Sequence, residues 1–416
     1  MKICVLTLGC KVNFYESEAL INELEKLGYS VNNKLEFADV YIINTCCVTN
    51  EGERKSRQII TKCLSYNEFA KIIVCGCAAQ KNSNQFKTKN VSVIVGNSNK
   101  KEIINLINAE NVEKIEELPS IYLDNLSTKS QRVRAYLKIQ DGCNNFCSYC
   151  IIPYVRGRSR SRKIQSIVTE ANNLSKFCNE IVLTGINMSD FKPSLIELLE
   201  SLKDVKTRFR ISSLEVNVIT EDFLIRLQKL PNFCPHFHLS MQSGSDSVLK
   251  KMNRHYTSAE YLQKVNLIKK YFPYASITTD LIVGFPTESE ENFLQTLETI
   301  KKAEFFMVHC FPYSMREGTV AAKMPQILNS VKKQRLKVVE KLANELNSKY
   351  IEKLQNNKVL QNVILEEVVK VDNEKYFVGH SEYFVKCYIK FNENFKENDI
   401  ISVNIENKFL DGVICK

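Results

Sequence analysis

The sequence carries three cysteines at a spacing suited to metal–sulfur chemistry. Cys143, Cys147 and Cys150, here the barrel triad, lie in the segment CNNFCSYC. Three thiolates on one short loop can hold three irons of a [4Fe–4S] cube and leave the fourth iron open for a small molecule. A structural zinc site normally closes with four protein ligands, and no fourth Cys or His lies close by in the sequence. The spacing therefore favours an iron–sulfur cluster over a zinc site or three cysteines that only pack.

A second set of three cysteines, Cys10, Cys46 and Cys77, is here the N-terminal triad. Each falls just past the C-terminal end of a predicted strand (Lys2–Leu8, Val40–Ile43 and Ile72–Val74). Parallel strands place these ends on one edge of a sheet, so ligands distant in sequence can meet there. Cys47 adjoins Cys46, and Cys75 lies two residues before Cys77. Spacing alone does not choose between these neighbours.

Composition and charge narrow the class of protein. The 416 residues suggest two or three domains, and 44% hydrophobic with 25% charged residues is ordinary for a globular chain. No apolar run approaches the ~18 residues of a membrane-spanning helix, and the first ten residues are too short for a signal peptide. We therefore expect a cytoplasmic protein with no membrane association. In that setting 15 cysteines favour metal or cluster ligation over a disulfide scaffold.

Hydrophobic patterning predicts an α/β protein of three parts. Residues 1–125 alternate short apolar strands with amphipathic helices, which predicts an N-terminal parallel-sheet α/β domain with an acid-rich linker over about 111–131. Residues 132–354 repeat the alternation six times and end in a basic helix, which predicts a central, partial (β/α)6 barrel. Residues 355–416 change to five short strands, which predicts a small all-β barrel. The predicted strands of the central part are 136–139, 181–184, 209–212, 236–239, 277–283 and 305–311, and those of the last part 359–369, 375–379, 383–389, 400–405 and 409–414.

The stretch YLKIQDGCNNFCSYCIIPYVRGRSRSR resembles radical S-adenosylmethionine enzymes and, within them, the methylthiotransferases. The segments TLGCKVN, INTCCVT and CGCAAQ resemble the N-terminal domain of the same family, so the resemblance covers essentially the whole chain. It implies two [4Fe–4S] clusters, held by the barrel triad and the N-terminal triad, and it selects Cys46 over Cys47 and Cys77 over Cys75. The last 60 residues resemble a TRAM domain, a small RNA-binding module.

The resemblance also implies the chemistry. The open iron at the barrel triad would bind the amino and carboxylate groups of S-adenosylmethionine, and reduction would give a 5′-deoxyadenosyl radical. The second cluster would be the source or carrier of sulfur. No side chain beyond the cluster ligands need act as an acid or base, because the cofactors carry the hard step.

Small and polar residues at strand ends are candidates for the cofactor pocket. The resemblance places Tyr149, Gly185, Glu215 and Gln242 around S-adenosylmethionine. Glycine permits close backbone approach, and Glu or Gln can fix ribose hydroxyls or an ammonium group. Ordinary turns between strands and helices are the alternative interpretation of the residues outside the CNNFCSYC loop.

A run of basic residues directly follows the barrel triad. Arg156, Arg158 and Arg160 lie in YVRGRSRSRK, which contains no acid and suits phosphate binding. A solvated helix start is the alternative. The net charge of +10 agrees with a polyanionic partner, although residues 358–416 carry eight Lys or Arg against ten Asp or Glu.

The whole pattern looks most like the branch that acts on N6-threonylcarbamoyladenosine in tRNA, placing a methylthio group on C2 of the base beside the anticodon. tRNA and an electron donor of the flavodoxin or ferredoxin class are the implied partners. Isopentenyladenosine in tRNA and an aspartate of a ribosomal protein are alternative substrates. A non-catalytic iron–sulfur protein that binds RNA or senses redox state is the alternative of another class.

Overall fold

The N-terminal domain is a parallel sheet with helices on both faces. The computed structural model describes residues 1–122, 129–130 and 132–416. Within these ranges six strands follow the order β2-β1-β3-β4-β5-β6. The elements are β1 (Lys2–Thr7), α1 (Lys11–Lys26), β2 (Ser30–Asn32), β3 (Val40–Thr45), α2 (Asn50–Tyr66), β4 (Lys71–Gly76), α3 (Cys77–Lys81), β5 (Val91–Val95), α4 (Ile103–Leu106) and β6 (Val112–Lys114).

Burial explains this sheet. Every residue of β3 is buried, as expected for a parallel strand covered on both faces. Strands β2 and β6 were not predicted, because each spans three residues with a single apolar one and so gives no hydrophobic run. Strand β6 lies inside the stretch predicted as a linker, and residues 123–128 and 131 of that stretch lie outside the described residues.

The central domain is an incomplete barrel of parallel strands. Its elements are β7 (Arg134–Lys138), β8 (Gln140–Asp141), α5 (Ile152–Arg156), β9 (Arg160–Ser161), α6 (Ile164–Leu174), β10 (Glu180–Thr184), α7 (Leu195–Ser201), β11 (Arg208–Ile211), β12 (Ser213–Leu214), α8 (Glu221–Gln228), β13 (His236–Leu239), α9 (Asp246–Lys251), α10 (Ser258–Tyr271), β14 (Ser276–Val283), α11 (Glu290–Ala303), β15 (Met307–Pro312) and α12 (Asn329–Asn356). The sheet runs β7-β10-β11 and, after a break at Ser212, continues β12-β13-β14-β15. The predicted strands are confirmed to within a few residues.

Alternating side chains divide this barrel into an apolar outside and a polar inside. Along β7, Ala135 and Leu137 join the main hydrophobic core beneath the surrounding helices. Their neighbours Arg134, Tyr136 and Lys138 therefore face the barrel interior, because successive strand residues point to opposite faces. Polar and charged side chains of β7 therefore line the barrel interior.

The C-terminal domain is a curled antiparallel and parallel sheet. Its strands are β16 (Gln361–Val371), β17 (Glu374–His380), β18 (Lys386–Lys390), β19 (Ile400–Val403), β20 (Ile405–Phe409) and β21 (Gly412–Cys415). The prediction of five strands was wrong in two places. The predicted strand 383–389 begins as a turn, where Phe384 has a φ of 65°. The predicted strand 400–405 ends at Val403, and strand β20 over Ile405–Phe409 was not predicted.

This domain closes the bottom of the central barrel. The Arg210 guanidinium donates to the backbone oxygens of Ser381 at 2.8 Å and Glu382 at 3.0 Å. The Phe384 ring stacks on His236 with centroids 4.7 Å apart. The predicted fold class, α/β with a partial barrel and a C-terminal all-β domain, is confirmed. In the described part of the chain no helix is long and apolar enough for a membrane crossing.

Candidate functional site

The barrel triad lies on a tightly held loop between β8 and α5. Gly142 starts the loop with a φ of 71°, and a Cβ atom there would overlap the carbonyl oxygen of Arg158. The backbone N–H of Cys143 donates to the Gly157 oxygen at 3.1 Å, which anchors the start of the loop to its end. Glycine is therefore required by both conformation and close approach.

Polar groups surround the sulfur atoms of this triad. Asn187 Nδ2 lies 3.8 Å from Cys143 Sγ, and Arg254 Nη1 lies 3.6 Å from Cys147 Sγ. Burial raises the pKa of Cys143 to about 11 and that of Cys150 to about 12. The thiols of all three cysteines interact electrostatically with one another. The loop thus gathers three thiols, and N–H donors lie close to two of them.

Two of the predicted cofactor residues share a cavity with the barrel triad. Tyr149, Cys150 and Gln242 line a cavity of about 220 Å³, and Val48 and Thr49 of the N-terminal domain line its other side. Gln242 has a φ of 64°, and its backbone bonds to β14 on both sides. The cavity therefore lies between the loop of the barrel triad and the residues that follow Cys46 and Cys47.

Of the other two predicted cofactor residues, Glu215 contacts the same loop and Gly185 lies beside strand β8. Glu215 Oε1 accepts from Asn145 Nδ2 at 2.6 Å and from Arg254 Nη1 at 2.8 Å. Gly185 lies against Gln140, where a Cβ atom would come within 3.0 Å of Oε1. Sequence reasoning missed Asn145 and Arg254, which no local motif distinguishes from other polar residues.

The structure brings the N-terminal triad together. Cys10 directly precedes α1, Cys46 directly follows β3, and Cys77 is the first residue of α3 after β4. The Cys46 thiol interacts electrostatically with those of Cys77 and Cys10, while burial raises the pKa of Cys46 to about 11. The predicted meeting of three strand ends at one sheet edge is thus present, and the ligand role of the three thiols remains a prediction.

The neighbouring cysteines take two different positions. The Cys47 thiol donates a hydrogen bond to Cys77 and, with Arg156 and Lys100 nearby, lowers the pKa of Cys77. Cys75 is 1% exposed and packs with apolar residues of the opposite layer of the sheet. Cys47 thus borders the N-terminal triad, and Cys75 does not belong to it.

The spacing of the thiols bears on the kind of metal centre that they could hold. Among residues 1–122, 129–130 and 132–416, no three or more His, Cys, Asp or Glu side chains are close enough to hold one ion. The ligands of a [4Fe–4S] cube bind different irons, so their sulfurs lie farther apart than those around one zinc ion. The result is thus compatible with cluster ligation, and the ligand role of the two triads stays a prediction.

The arginines that follow the barrel triad have different surroundings. Arg156 is 1% exposed and pairs with Glu16 at 2.8 Å and Asp141 at 3.2 Å. Arg160 pairs with Asp141 at 3.1 Å. Only Arg158 of these three is exposed, and its guanidinium lies over the Phe146 ring at 4.3 Å. The predicted phosphate contact therefore narrows to Arg158, because buried carboxylates engage the other two.

A basic groove opens beside the loop of the barrel triad. It measures about 820 Å³ and its lining includes Asn144, next to Cys143. The charged residues that line it are Lys101, Arg160, Lys163, Asp190 and Lys192. Arg160 is already paired with Asp141, so the three lysines against Asp190 give the groove its excess of positive charge, which attracts polyanions.

A polar group inside the barrel was not predicted. His238 Nε2 lies 3.2 Å from Asp280 Oδ2, and the His238 and His309 rings are centred 5.8 Å apart. Lys11, next to Cys10, interacts electrostatically with Asp280 and His309. The available signal was the alternation of His with apolar residues in the segment HFHL. This alternation places His236 and His238 on one face of the strand.

Comparison with known proteins agrees with this geometry. Residues 137–300 match the radical SAM superfamily, and residues 2–96 match a family described as uncharacterized protein family UPF0004. The chain is 38% identical over 408 residues to the threonylcarbamoyladenosine tRNA methylthiotransferase MtaB of Bacillus subtilis (strain 168), covering 93% of this chain and 90% of that protein. It is 35% identical over 372 residues to a tRNA-2-methylthio-N(6)-dimethylallyladenosine synthase of Pelotomaculum thermopropionicum, covering 83% of each.

Solved structures show the same fold at low sequence identity. The radical S-adenosylmethionine methyltransferase TsrM of Kitasatospora setae matches with a TM-score of 0.58 and 13% identity, covering 77% of this chain and 74% of that one. The identities to the methylthiotransferases extend over most of each sequence. The chain therefore belongs to the family of radical S-adenosylmethionine methylthiotransferases, enzymes that use an iron–sulfur cluster and S-adenosylmethionine.

Proposed function

We propose that this enzyme places a methylthio group on C2 of N6-threonylcarbamoyladenosine, beside the anticodon of tRNA. The observation that carries the proposal is the pair of thiol triads, one from each domain, with a cavity of about 220 Å³ running from Cys150 to Val48 and Thr49. A sulfur carrier and a radical source must face a shared space to act on one carbon. Relatives named for this substrate, at 38% identity over nearly the whole chain, support the choice of nucleoside.

Two [4Fe–4S] clusters are part of the proposal. Cys143, Cys147 and Cys150 would hold one, and the N-terminal triad the other. When bound, they supply the electron that cleaves S-adenosylmethionine and the sulfur that is transferred. The reducing partner would be a flavodoxin or ferredoxin, and the cytoplasm is the location that fits a tRNA substrate.

The surrounding side chains would bind and orient the small molecules. Tyr149 and Gln242 line the cavity, while Glu215 contacts the loop at Asn145 and is also held by Arg254. A carboxylate held by two donors is preorganised to accept from an ammonium or a ribose hydroxyl. Gly185 would contribute through its backbone, since Met188 and Gln140 already fill the space where a Cβ atom would lie.

The basic groove would hold the tRNA backbone. It opens at Asn144, directly beside the barrel triad, so a phosphate chain lying in it passes close to the chemistry. Lysine contacts to phosphates release counterions and give affinity without reading sequence. The exposed Arg158, stacked on Phe146, would extend this surface.

Iron counting tests the two-cluster part. We expect the reconstituted wild-type protein to hold about eight irons, and a C10A/C46A/C77A variant or a C143A/C147A/C150A variant to hold about four each. Cys47→Ala and Cys75→Ala are the matched controls, and both should keep the wild-type iron content. Four irons in the wild type, or iron loss on changing Cys75, would contradict the ligand assignment.

Nucleoside mass spectrometry tests the substrate. We expect tRNA bearing N6-threonylcarbamoyladenosine to gain the 2-methylthio group with the reduced enzyme, together with 5′-deoxyadenosine. tRNA bearing isopentenyladenosine is the control, since relatives 35% identical to this chain are named for that nucleoside. If only the control tRNA gave a methylthiolated product, the substrate would be isopentenyladenosine and not N6-threonylcarbamoyladenosine. If no 5′-deoxyadenosine forms in the reaction with either tRNA, the result would favour a non-catalytic iron–sulfur protein.

A further inference from the structure

A buried arginine joins the short helix α5 to the N-terminal domain. Arg156 lies six residues after Cys150 and is 1% exposed. Its Nη1 donates to Glu16 Oε1 at 2.8 Å and to Asp141 Oδ1 at 3.2 Å, and its Nη2 donates to Asn13 Oδ1 at 2.5 Å. Both amino groups are therefore engaged, and two of the three partners belong to α1 of the other domain.

Asn13 passes this contact on to the N-terminal triad. Its Nδ2 donates to the backbone oxygens of Leu8 at 2.8 Å and Thr45 at 3.0 Å. Leu8 lies two residues before Cys10, and Thr45 directly precedes Cys46. Asn13 is itself 1% exposed, so no water replaces these bonds without rearrangement. One amide thus fixes the backbone at two of the three cysteines.

A second amide makes the corresponding link at the third cysteine. Asn97 Nδ2 donates to the backbone oxygen of Val155 in α5 at 2.7 Å and lies 3.6 Å from Cys77 Sγ. Helix α5 therefore contacts the supports of all three cysteines of the N-terminal triad. The same helix is covalently continuous with the loop that carries the barrel triad.

The charges of this link are unbalanced. Four cations, Lys100, Lys138, Arg156 and Arg160, surround the two carboxylates of Glu16 and Asp141. All six side chains are at most 10% exposed. An excess of two positive charges in a buried position is costly unless anionic groups lie nearby. Thiolates on either side of α5 are the anions that such an excess suits.

We propose that Arg156 is a positioning residue that holds the two cysteine triads at a fixed separation and orientation. The guanidinium acts through Asn13 on the backbone at Cys10 and Cys46, and α5 acts through Asn97 on Cys77. The inference rests on the proposed two-cluster function. It adds the contacts that hold the sulfur site at a fixed position relative to the radical site. Lysine cannot replace the arginine, because an ammonium cannot reach Glu16 and Asn13 with the planar fork that both contacts use.

The test measures the coupling between radical formation and product in the reconstituted holoenzyme. For Arg156→Lys we expect 5′-deoxyadenosine to form at about the wild-type rate while methylthiolated tRNA falls by about 10- to 100-fold, as misplacement by about 1 Å can cause. Asn13→Ser, which keeps Arg156, should show the same uncoupling. Arg210→Lys is the matched control, since Arg210 is a 2% exposed arginine that joins the barrel to the C-terminal domain instead.

A second readout needs neither metal nor activity. In the metal-free full chain, Arg156→Lys should speed hydrogen exchange of the amides around Leu8–Asn13 and Asn44–Cys46, and Arg210→Lys should not. Equal loss of 5′-deoxyadenosine and product, or unchanged exchange in those segments, would overturn the positioning role. A wild-type protein with one cluster would instead refute the proposed function. The exchange experiment would still show whether Arg156 holds the backbone near Cys10 and Cys46.

Discussion

The most informative single change for the assembly of the domains is Glu180→Gln. Glu180 is fully buried, and Arg210 donates to its Oε1 at 2.9 Å and its Oε2 at 3.0 Å. Arg208 donates to Oε2 at 2.7 Å, and the same two arginines hold four backbone oxygens of the C-terminal domain. Glutamine keeps the shape and removes the charge, so it leaves these guanidiniums buried without their carboxylate.

The magnitude follows from the burial of the pair. Removing one partner of a buried ion pair costs about 3–5 kcal/mol, and we take about 3 because glutamine retains one acceptor oxygen. That free energy corresponds to roughly a hundredfold rise in the opening equilibrium of the C-terminal domain. Hydrogen exchange of β16 and β17, followed by mass spectrometry, measures this equilibrium directly.

The matched control is Glu200→Gln. Glu200 also binds one arginine with both oxygens, at 2.8 and 2.6 Å from Arg226, but its side chain is 39% exposed. Exposed pairs contribute only about 0–1 kcal/mol, so this change should leave exchange in the C-terminal domain unaltered. An effect of Glu180→Gln below about 1 kcal/mol would refute the reasoning, since the buried charge would then contribute no more than an exposed one.

The acid dependence has a definite sign. Burial by itself raises the pKa of Glu180, but Arg210 and Arg208 outweigh it and hold that pKa far below the usual range. The stabilisation is therefore complete above the ordinary glutamate pKa of about 4.3 and is lost as pH falls below it. The difference between the wild type and Glu180→Gln should stay constant near neutral pH and shrink in acid.

Three further outcomes are expected. Phe384→Ala removes the ring stacked on the barrel floor and should weaken docking of the C-terminal domain by at least about 1 kcal/mol, measured by the same exchange experiment. Gly142→Ala should abolish iron binding at the barrel triad with far-ultraviolet circular dichroism unchanged, while Gly28→Ala, with a φ of 84° but nothing within 4 Å, should keep the iron. Lys163→Glu with Lys192→Glu should lower tRNA affinity by about tenfold and reduce the salt dependence of binding.

The groove variants need a charge-matched control. Lys229→Glu with Lys250→Glu makes the same change in net charge at two exposed lysines that do not line the groove. We expect this pair to leave the affinity near the wild-type value in filter binding or fluorescence anisotropy. Equal loss in both pairs would assign the effect to overall charge and would remove the groove from the proposal.

The sequence by itself determined most of the elements and the spacing of the cysteines. Buried runs such as VYIINT in β3 specify parallel strands through local hydrophobicity, and the ends of β1, β3 and β4 then have to lie on one edge. The spacing of Cys143, Cys147 and Cys150 is local as well. For this reason the fold class, the barrel and the positions of the two triads were predictable.

Only the tertiary structure decided which polar side chains are exposed to a ligand and which are buried in contacts with other parts of the protein. Arg156 and Arg158 look equivalent in YVRGRSRSR, yet one is buried against Glu16, 140 residues earlier in the chain, and the other is exposed. The bond from Cys47 to Cys77 and the stacking of Phe384 on His236 likewise join residues distant in sequence. Such partners depend on how the domains pack together, and local hydrophobic periodicity contains no information about that packing.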